Sequence, residues 1–187
     1  MAQIYLPDQT KELLKMYAKG QKHQMGLKFF ACLFAILFLS TVSFAQELAI
    51  PRFVSFRHGD INLRTGPGSR YPIKFVYRVK NYPVEIIDEY ELWRQIREID
   101  GTIGWVHRRM LSGVRYILVT EEAALHKKEN EKSPIIAHVQ KNVLGKIKEC
   151  PKQSNLCLVE FTFQDDTYKG WMNKNSFYGV YPHEVIQ

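Results

Sequence analysis

Residues 61–79, INLRTGPGSRYPIKFVYRV, lie over residues 123–141, AALHKKENEKSPIIAHVQK, when the chain is compared with itself. Leu63 then matches Leu125, and Tyr71-Pro72-Ile73 matches Ser133-Pro134-Ile135. Further out, DGTIGWV from Asp100 to Val106 matches DTYKGWM from Asp166 to Met172, which sets Gly104-Trp105 over Gly170-Trp171. The offset grows from 62 to 66 residues, as a few loop insertions would produce, and each copy of 60–65 residues ends near Gly113 or Gly179. Such a repeat means one structural unit used twice.

Within each copy, short runs of Val, Ile, Tyr and Phe alternate with turn residues, and no long stretch has helical periodicity. Phe75, Tyr77 and Val79 fall on one parity, as do Val84 and Ile86. Asp100-Gly101 reads as a two-residue type I′ hairpin turn, with φ > 0 at both central positions. Asp165-Asp166 reads as the matching turn of the second copy. The expected fold class is all-β. A unit of this length buries only about 60% of its unfolded surface, so the two copies are expected to dock. VRYILV, within residues 113–122, is itself strand-like and does not read as a flexible linker.

Asn62-Leu63-Arg64-x-Gly66-Pro67, Pro72, the Trp93-x-x-Ile96 strand and Gly104-Trp105-Val106 together resemble a bacterial SH3 (SH3b) domain. The second half, with Cys150, Cys157, Gly170-Trp171 and a closing Tyr178-Gly179-Val180-Tyr181-Pro182, is similar to exported SH3-like proteins of proteobacteria. The resemblance implies two tandem small barrels, over residues 51–114 and 115–182, each half-open with five to seven strands. It implies no enzymatic activity, and a fold alone does not fix function. The second copy departs from the pattern. Ala124 to Glu129 replace Asn62 to Pro67, and Cys157 is expected in the place of Trp93, so the first copy is the better candidate for a ligand site.

Before the repeats, Phe29 to Leu39 read FFACLFAILFL, eleven apolar residues preceded by Lys22 and Lys28 and diluting toward Ser43 and Ala45. That is the layout of a secretory signal helix cleaved after Ala45. A membrane span needs about 20 apolar residues, which leaves an uncleaved anchor as the weaker alternative. Membrane contact is expected only through this segment, and Cys32 is expected to leave with it. Residues 1–24 form an unusually long polar lead, so translation is expected to start at Met25 or Met16, with the upstream residues a start-site artefact. The product is expected in the periplasm or outside the cell.

Composition agrees with a globular body: 45% apolar and 24% charged residues exclude disorder and collagen-like repeats. The net charge is +7, but five of the 26 Lys/Arg and two of the 19 Asp/Glu lie in residues 1–45, leaving 21 and 17, a net +4. The remaining charges alternate in sign and form no basic stripe, which argues against a nucleic-acid partner.

Cys150 and Cys157 flank PKQSNL, a turn-like spacer, and in an oxidising compartment the expected outcome is a disulfide. Free buried thiols, or a metal or catalytic role, are the alternatives. Zinc would need distant histidines such as His138 and His183 without the usual tight spacing. No metal or cofactor is expected. A cysteine peptidase needs a thiolate beside an oriented His, and the repeats leave no room for a catalytic domain, so no enzyme is expected. Gly66-Pro67-Gly68 lacks the phosphate-loop form and reads as a tight turn braced by Asn62 and Arg64.

The aromatic set Tyr71, Tyr77, Tyr82, Tyr90, Trp93 and Trp105 is the remaining functional candidate. Tyr and Trp give rigid contact area with a polar handle. Tyr71, Pro72, Tyr77 and Trp93, with Arg108 as a basic edge, are expected to form a peptide-binding surface, Tyr71 and Tyr77 exposed and Trp105 half-buried. The function expected is non-catalytic recognition of a cell-wall peptide or an envelope protein. The alternative is a structural or assembly factor that uses its barrels to dimerise, and a cell-wall hydrolase comes third.

Overall fold

Alternating apolar and polar residues, punctuated by turns, give fourteen short strands in a computed structural model that describes residues 48–187. The expectations placed on residues 1–45 lie outside the described residues. The first barrel contains β1 (Arg52–Phe56), β2 (Ile61–Arg64), β3 (Ile73–Tyr77), β4 (Pro83–Tyr90), β5 (Trp93–Arg97), β6 (Ile103–His107), a 3-10 turn (Arg108–Met110) and β7 (Leu111–Ser112). The second repeats this series as β8 (Tyr116–Val119), β9 (Ala123–His126), β10 (Ile135–Val139), β11 (Leu144–Glu149), β12 (Leu156–Phe163), β13 (Asp166–Asn173), a 3-10 turn (Lys174–Ser176) and β14 (Phe177–Tyr178). Among the described residues no helix is long and apolar enough to cross a membrane.

Each barrel is one antiparallel sheet of seven strands, in the orders β3-β2-β6-β5-β4-β1-β7 and β10-β9-β13-β12-β11-β8-β14. The orders correspond strand for strand, so the expectation of an all-β pair of barrels holds. The VRYILV segment is no connector: it supplies β8, the counterpart of β1. Even irregularities recur. β4 bulges between Ile86 and Asp88, and β11 bulges between Ile147 and Glu149, which bends a long strand so that it serves both halves of the rolled sheet. Asn81 and Asn142, at φ 65° and 68°, donate their amides to Phe56 and Val119 at matching corners.

Each barrel has its own core. Phe56, Ile61, Leu63, Val84, Ile96 and Val106 are buried in the first, and Ile117, Val119, Leu125, Val159, Phe161 and Met172 in the second. The repeated Gly-Trp pair has a packing cause. A Cβ on Gly104 would sit 2.5 Å from the Leu63 Cγ, and one on Gly170 would sit 2.7 Å from the Leu125 Cγ. Glycine at these inward positions lets β2 and β9 close against β6 and β13, while the neighbouring Trp takes the outer face.

Two expected turns are corrected. Of the Asp100-Gly101 pair only Gly101 has positive φ (84°), its amide donates to the Glu98 carbonyl, and the Glu98 amide donates to the Thr102 carbonyl. The β5–β6 connection is therefore a longer loop ending in a left-handed glycine, not a two-residue type I′ turn. In the second barrel Gln164, at φ 55°, and Asp165 make the turn, and Asp166 already belongs to β13.

The barrels dock through unlike surfaces. The Phe53 ring meets Tyr178 edge-on at 4.9 Å and Tyr181 at 4.7 Å, and the Arg115 guanidinium lies 5.8 Å from its centroid. Arg115 also pairs with Glu184 and donates to the Gly179 carbonyl at 2.7 Å. Buried Glu85 accepts from the Tyr181 hydroxyl at 2.7 Å and from Arg97 at 2.6 and 2.8 Å. The Tyr178 hydroxyl donates to the Arg97 carbonyl, and the Tyr116 amide donates to the Ser55 hydroxyl. Burial first, and the Glu85 carboxylate with it, hold both phenols well above the ordinary tyrosine range.

Cys150 and Cys157 form a disulfide, with Cα atoms 4.4 Å apart. Cys157 sits on β12 opposite Met172, while the Cys150 amide and carbonyl both bond Ile186. The disulfide thus closes the β11–β12 loop, and the Cys150 backbone pairs that loop with the C-terminal tail.

Candidate functional site

β5 and β6 pair Trp93 with His107, Gln95 with Trp105 and Arg97 with Ile103, while β2 pairs Arg64 with Trp105. Directly paired residues share a face. Val106 and Ile96 are buried inside the barrel, so Arg64, Gln95, Trp93, Trp105 and His107 occupy its outer face. Trp93 stands edge-on to the His107 ring at 5.5 Å. Burial, then the charges of Arg109, Arg108 and Arg94, lower the His107 pKa, and its Nδ1 accepts the Arg109 amide as the 3-10 turn begins. Arg108, exposed, donates its amide to the Leu92 carbonyl beside Trp93.

The β2–β3 loop closes the other side of this face. The Arg64 guanidinium donates to the Tyr71 carbonyl at 2.7 Å, and the Thr65 amide donates to the Pro72 carbonyl. Arg64 therefore braces the loop as expected. Asn62 makes no side-chain hydrogen bond among the described residues, because β2 points it outward. Gly66 and Gly68 do not have positive φ. They are glycines because the Tyr71 ring lies on them: a Cβ on Gly66 would be 2.4 Å from that ring. Tyr71 and Pro72 are exposed, and Pro67 is half-buried beneath them.

Of the five residues expected to bind a ligand, Trp93 and Arg108 lie at one end of this face, each next in sequence to a residue paired or bonded there, and Tyr71 and Pro72 sit on the loop braced by Arg64. Tyr77 does not join them. Most of β3 overhangs the core, but at its end the Tyr77 ring turns in against Phe56 at 5.1 Å and its hydroxyl donates to Glu98. Tyr77 is a core residue at its ring and a polar partner at its tip.

The second barrel carries the same positions with different chemistry. His126 replaces Arg64 and holds the Ser133 carbonyl through Nδ1 at 3.1 Å; Lys127 to Pro134 and Ser133 to Asn130 repeat the loop bonds. By register, Leu156 and not Cys157 stands where the first barrel has Trp93; Cys157 corresponds to Arg94. Leu156 is buried, and Asn173, the counterpart of His107, donates from Nδ2 to Glu131 at 2.6 Å. The loop of the second barrel is thus tied across to the start of its 3-10 turn, so that this face carries its own strap.

One feature was not legible in sequence motifs. A cavity of about 450 Å³ opens in the second barrel between β9, β10 and the β12–β13 hairpin, lined by Leu125, Ala137, Val139, Val143, Phe161 and Tyr168. Among the described residues no three His, Cys, Asp or Glu side chains converge to hold a metal ion.

The loop, the Gly-Trp strand and the 3-10 turn all fall inside one recognisable segment. Residues 58–113 match the bacterial SH3 domain family model. This bacterial SH3 domain match covers the first barrel from the β1–β2 connection to the end of β7, including Tyr71, Trp93, Trp105 and Arg108. Among solved structures, the chain is similar to NlpC2 of Trichomonas vaginalis at 13% identity, over 72% of this chain and 50% of that one, with a TM-score of 0.31. NlpC1 of the same organism gives 14% identity, 74% and 50% coverage, and a TM-score of 0.30. The chain spans about half the length of these two proteins. No curated protein sequence matches it.

Proposed function

We propose that this chain is an exported, non-catalytic binding protein whose first barrel holds an extended peptide of the cell wall or of an envelope protein. One observation carries the reading: the Tyr71–Arg64–Trp105–Trp93 face is uncovered in the first barrel, while its counterpart in the second is strapped by Glu131 to Asn173. The exposed ring of Tyr71 and the indole of Trp93 offer flat contact area at low entropic cost, and Arg108 offers a cation for a carboxylate. The match of residues 58–113 to the bacterial SH3 domain supports an envelope setting.

Co-sedimentation with purified murein sacculi tests the proposal. The intact protein should pellet with the sacculi. Trp93→Ala and Arg108→Ala should weaken pelleting at least roughly tenfold, the scale set by losing one buried anchor. Lys174→Ala, at the position matching Arg108 in the second barrel, should leave it unchanged. Equal pelleting by all variants, or release of soluble fragments from the sacculi, would defeat the reading.

A further inference from the structure

In the first barrel Phe56 stacks against Tyr77 at 5.1 Å and Tyr82 at 5.9 Å, and the Tyr77 hydroxyl is received by Glu98. The second barrel places Val119, Val139 and Val143 at these three aromatic positions. Val139 pairs with Ala123 as Tyr77 pairs with Ile61, and the Val119 amide bonds the Val143 carbonyl as Phe56 bonds Tyr82. Two rings are returned, Phe177 beside Val119 where the first barrel pairs Leu111 with Phe56, and Phe161. Phe161 takes the place of Glu98 and lies on Gly145, where the first barrel has Val84; a Cβ on Gly145 would be 2.5 Å from that ring. Neither ring stands at the Tyr77 or Tyr82 positions, and because protein interiors are close-packed, valines there leave space. The 450 Å³ cavity borders two of these positions, Val139 and Val143, and is of a size typical of ligand sites.

Two further features say what enters it. The cavity opens beside β10, an outermost strand with no neighbour on its far side among the described residues, so its edge amides and carbonyls are open to an added strand. The first barrel also shows what the corresponding volume accommodates, namely a tyrosine ring with a polar group at its tip. Thr162, Gln140 and His138 supply polar atoms in the cavity wall.

We propose that the second barrel binds an extended polypeptide along the free edge of β10 and lodges one of its aromatic side chains in this cavity. This site is separate from the face of the first barrel and takes a different residue class. The probes are an acetylated, amidated pentapeptide Gly-Val-Tyr-Val-Gly and its counterparts with Leu or Ala at the centre. Each is titrated into the purified protein while methyl and amide resonances are followed.

The tyrosine peptide should shift Leu125, Val139, Val143 and the amides of β10, with an affinity roughly tenfold above that of the alanine peptide. Val139→Tyr refills the cavity in the manner of the first barrel and should abolish these shifts. Val143→Phe, at a partly exposed position, tests the same point if the first variant does not fold. Sacculus pelleting should be unaffected by either variant, which separates this proposal from the preceding one. Shifts confined to the first barrel, equal affinity for the three peptides, undiminished binding by a folded filled variant, or a cavity closed by self-association of the free protein would each overturn it.

Discussion

Glu98 is nearly buried, and burial first, then the charge of Asp100, push its carboxyl up to about 7 against the opposing pull of Lys74. A folded-state value above the ordinary 4.5 means that the fold favours the protonated acid. The resulting stability is present below about pH 4.5 and is lost as pH rises through 7. Glu98→Gln keeps an acceptor for Tyr77 and cannot ionise, so at pH 8 it should be the more stable protein by about 1–3 kcal/mol. Unfolding midpoints at pH 5 and pH 8 check this, and parallel pH profiles for the two proteins would contradict it. A second single-residue outcome concerns Gly104→Ala, whose methyl meets Leu63 at 2.5 Å. It should cost about 1–3 kcal/mol in denaturant unfolding. The Gly-Trp motif was readable in the sequence, but its cause was not, since Leu63 is far away in the chain. Tyr77 was misplaced because parity describes a strand lying wholly on its core, and β3 reaches its core only at the end.

Among the elements, the β11–β12 connection distinguishes the two barrels most. β4 and β5 are joined through Glu91 and Leu92, whereas the corresponding loop of the second barrel is closed by the Cys150–Cys157 disulfide. Closing a loop of this size contributes about 2–3 kcal/mol through the unfolded chain. Because Cys150 also bonds Ile186, reduction or Cys157→Ser should lower the unfolding free energy by that amount. It should also speed amide exchange at Ile186, and unchanged exchange there would refute the tail anchoring. The cysteine pairing was legible from a turn-like spacer between two thiols. The strand register was not: the loop changes the repeat offset, and matching Cys157 to Trp93 by position overlooked the pairing of Leu156 with Asn173.

At the scale of the whole molecule, docking was foreseeable because each unit is small and the joining segment is itself strand-like. The faces used were hidden: Tyr181 belongs to the closing string of the second copy, but its partners Phe53, Glu85 and Arg115 lie in no motif and reach it only after both sheets have rolled. Phe53→Ala removes contacts to Tyr178, Tyr181 and the Arg115 guanidinium. It should cost about 3–4 kcal/mol and split a single calorimetric transition into two, whereas a single sharp peak would show that the barrels depend on each other by another route. Tyr181→Phe deprives buried Glu85 of one donor and should cost about 1–3 kcal/mol.

The docking patches also bear on what would follow if the barrels came apart. The first barrel contributes Phe53, Ser55 and Glu85, and the second contributes residues from the start of β8 and from the tail. A contact between non-identical patches is heterologous and has no two-fold axis within it. A molecule opened between its barrels would therefore present one sticky end of each kind, and neighbouring molecules could exchange barrels, closing as a swapped pair or running on head to tail as a filament. The few residues between β7 and β8 prevent this by keeping each barrel's correct mate at a local concentration that no stranger can match.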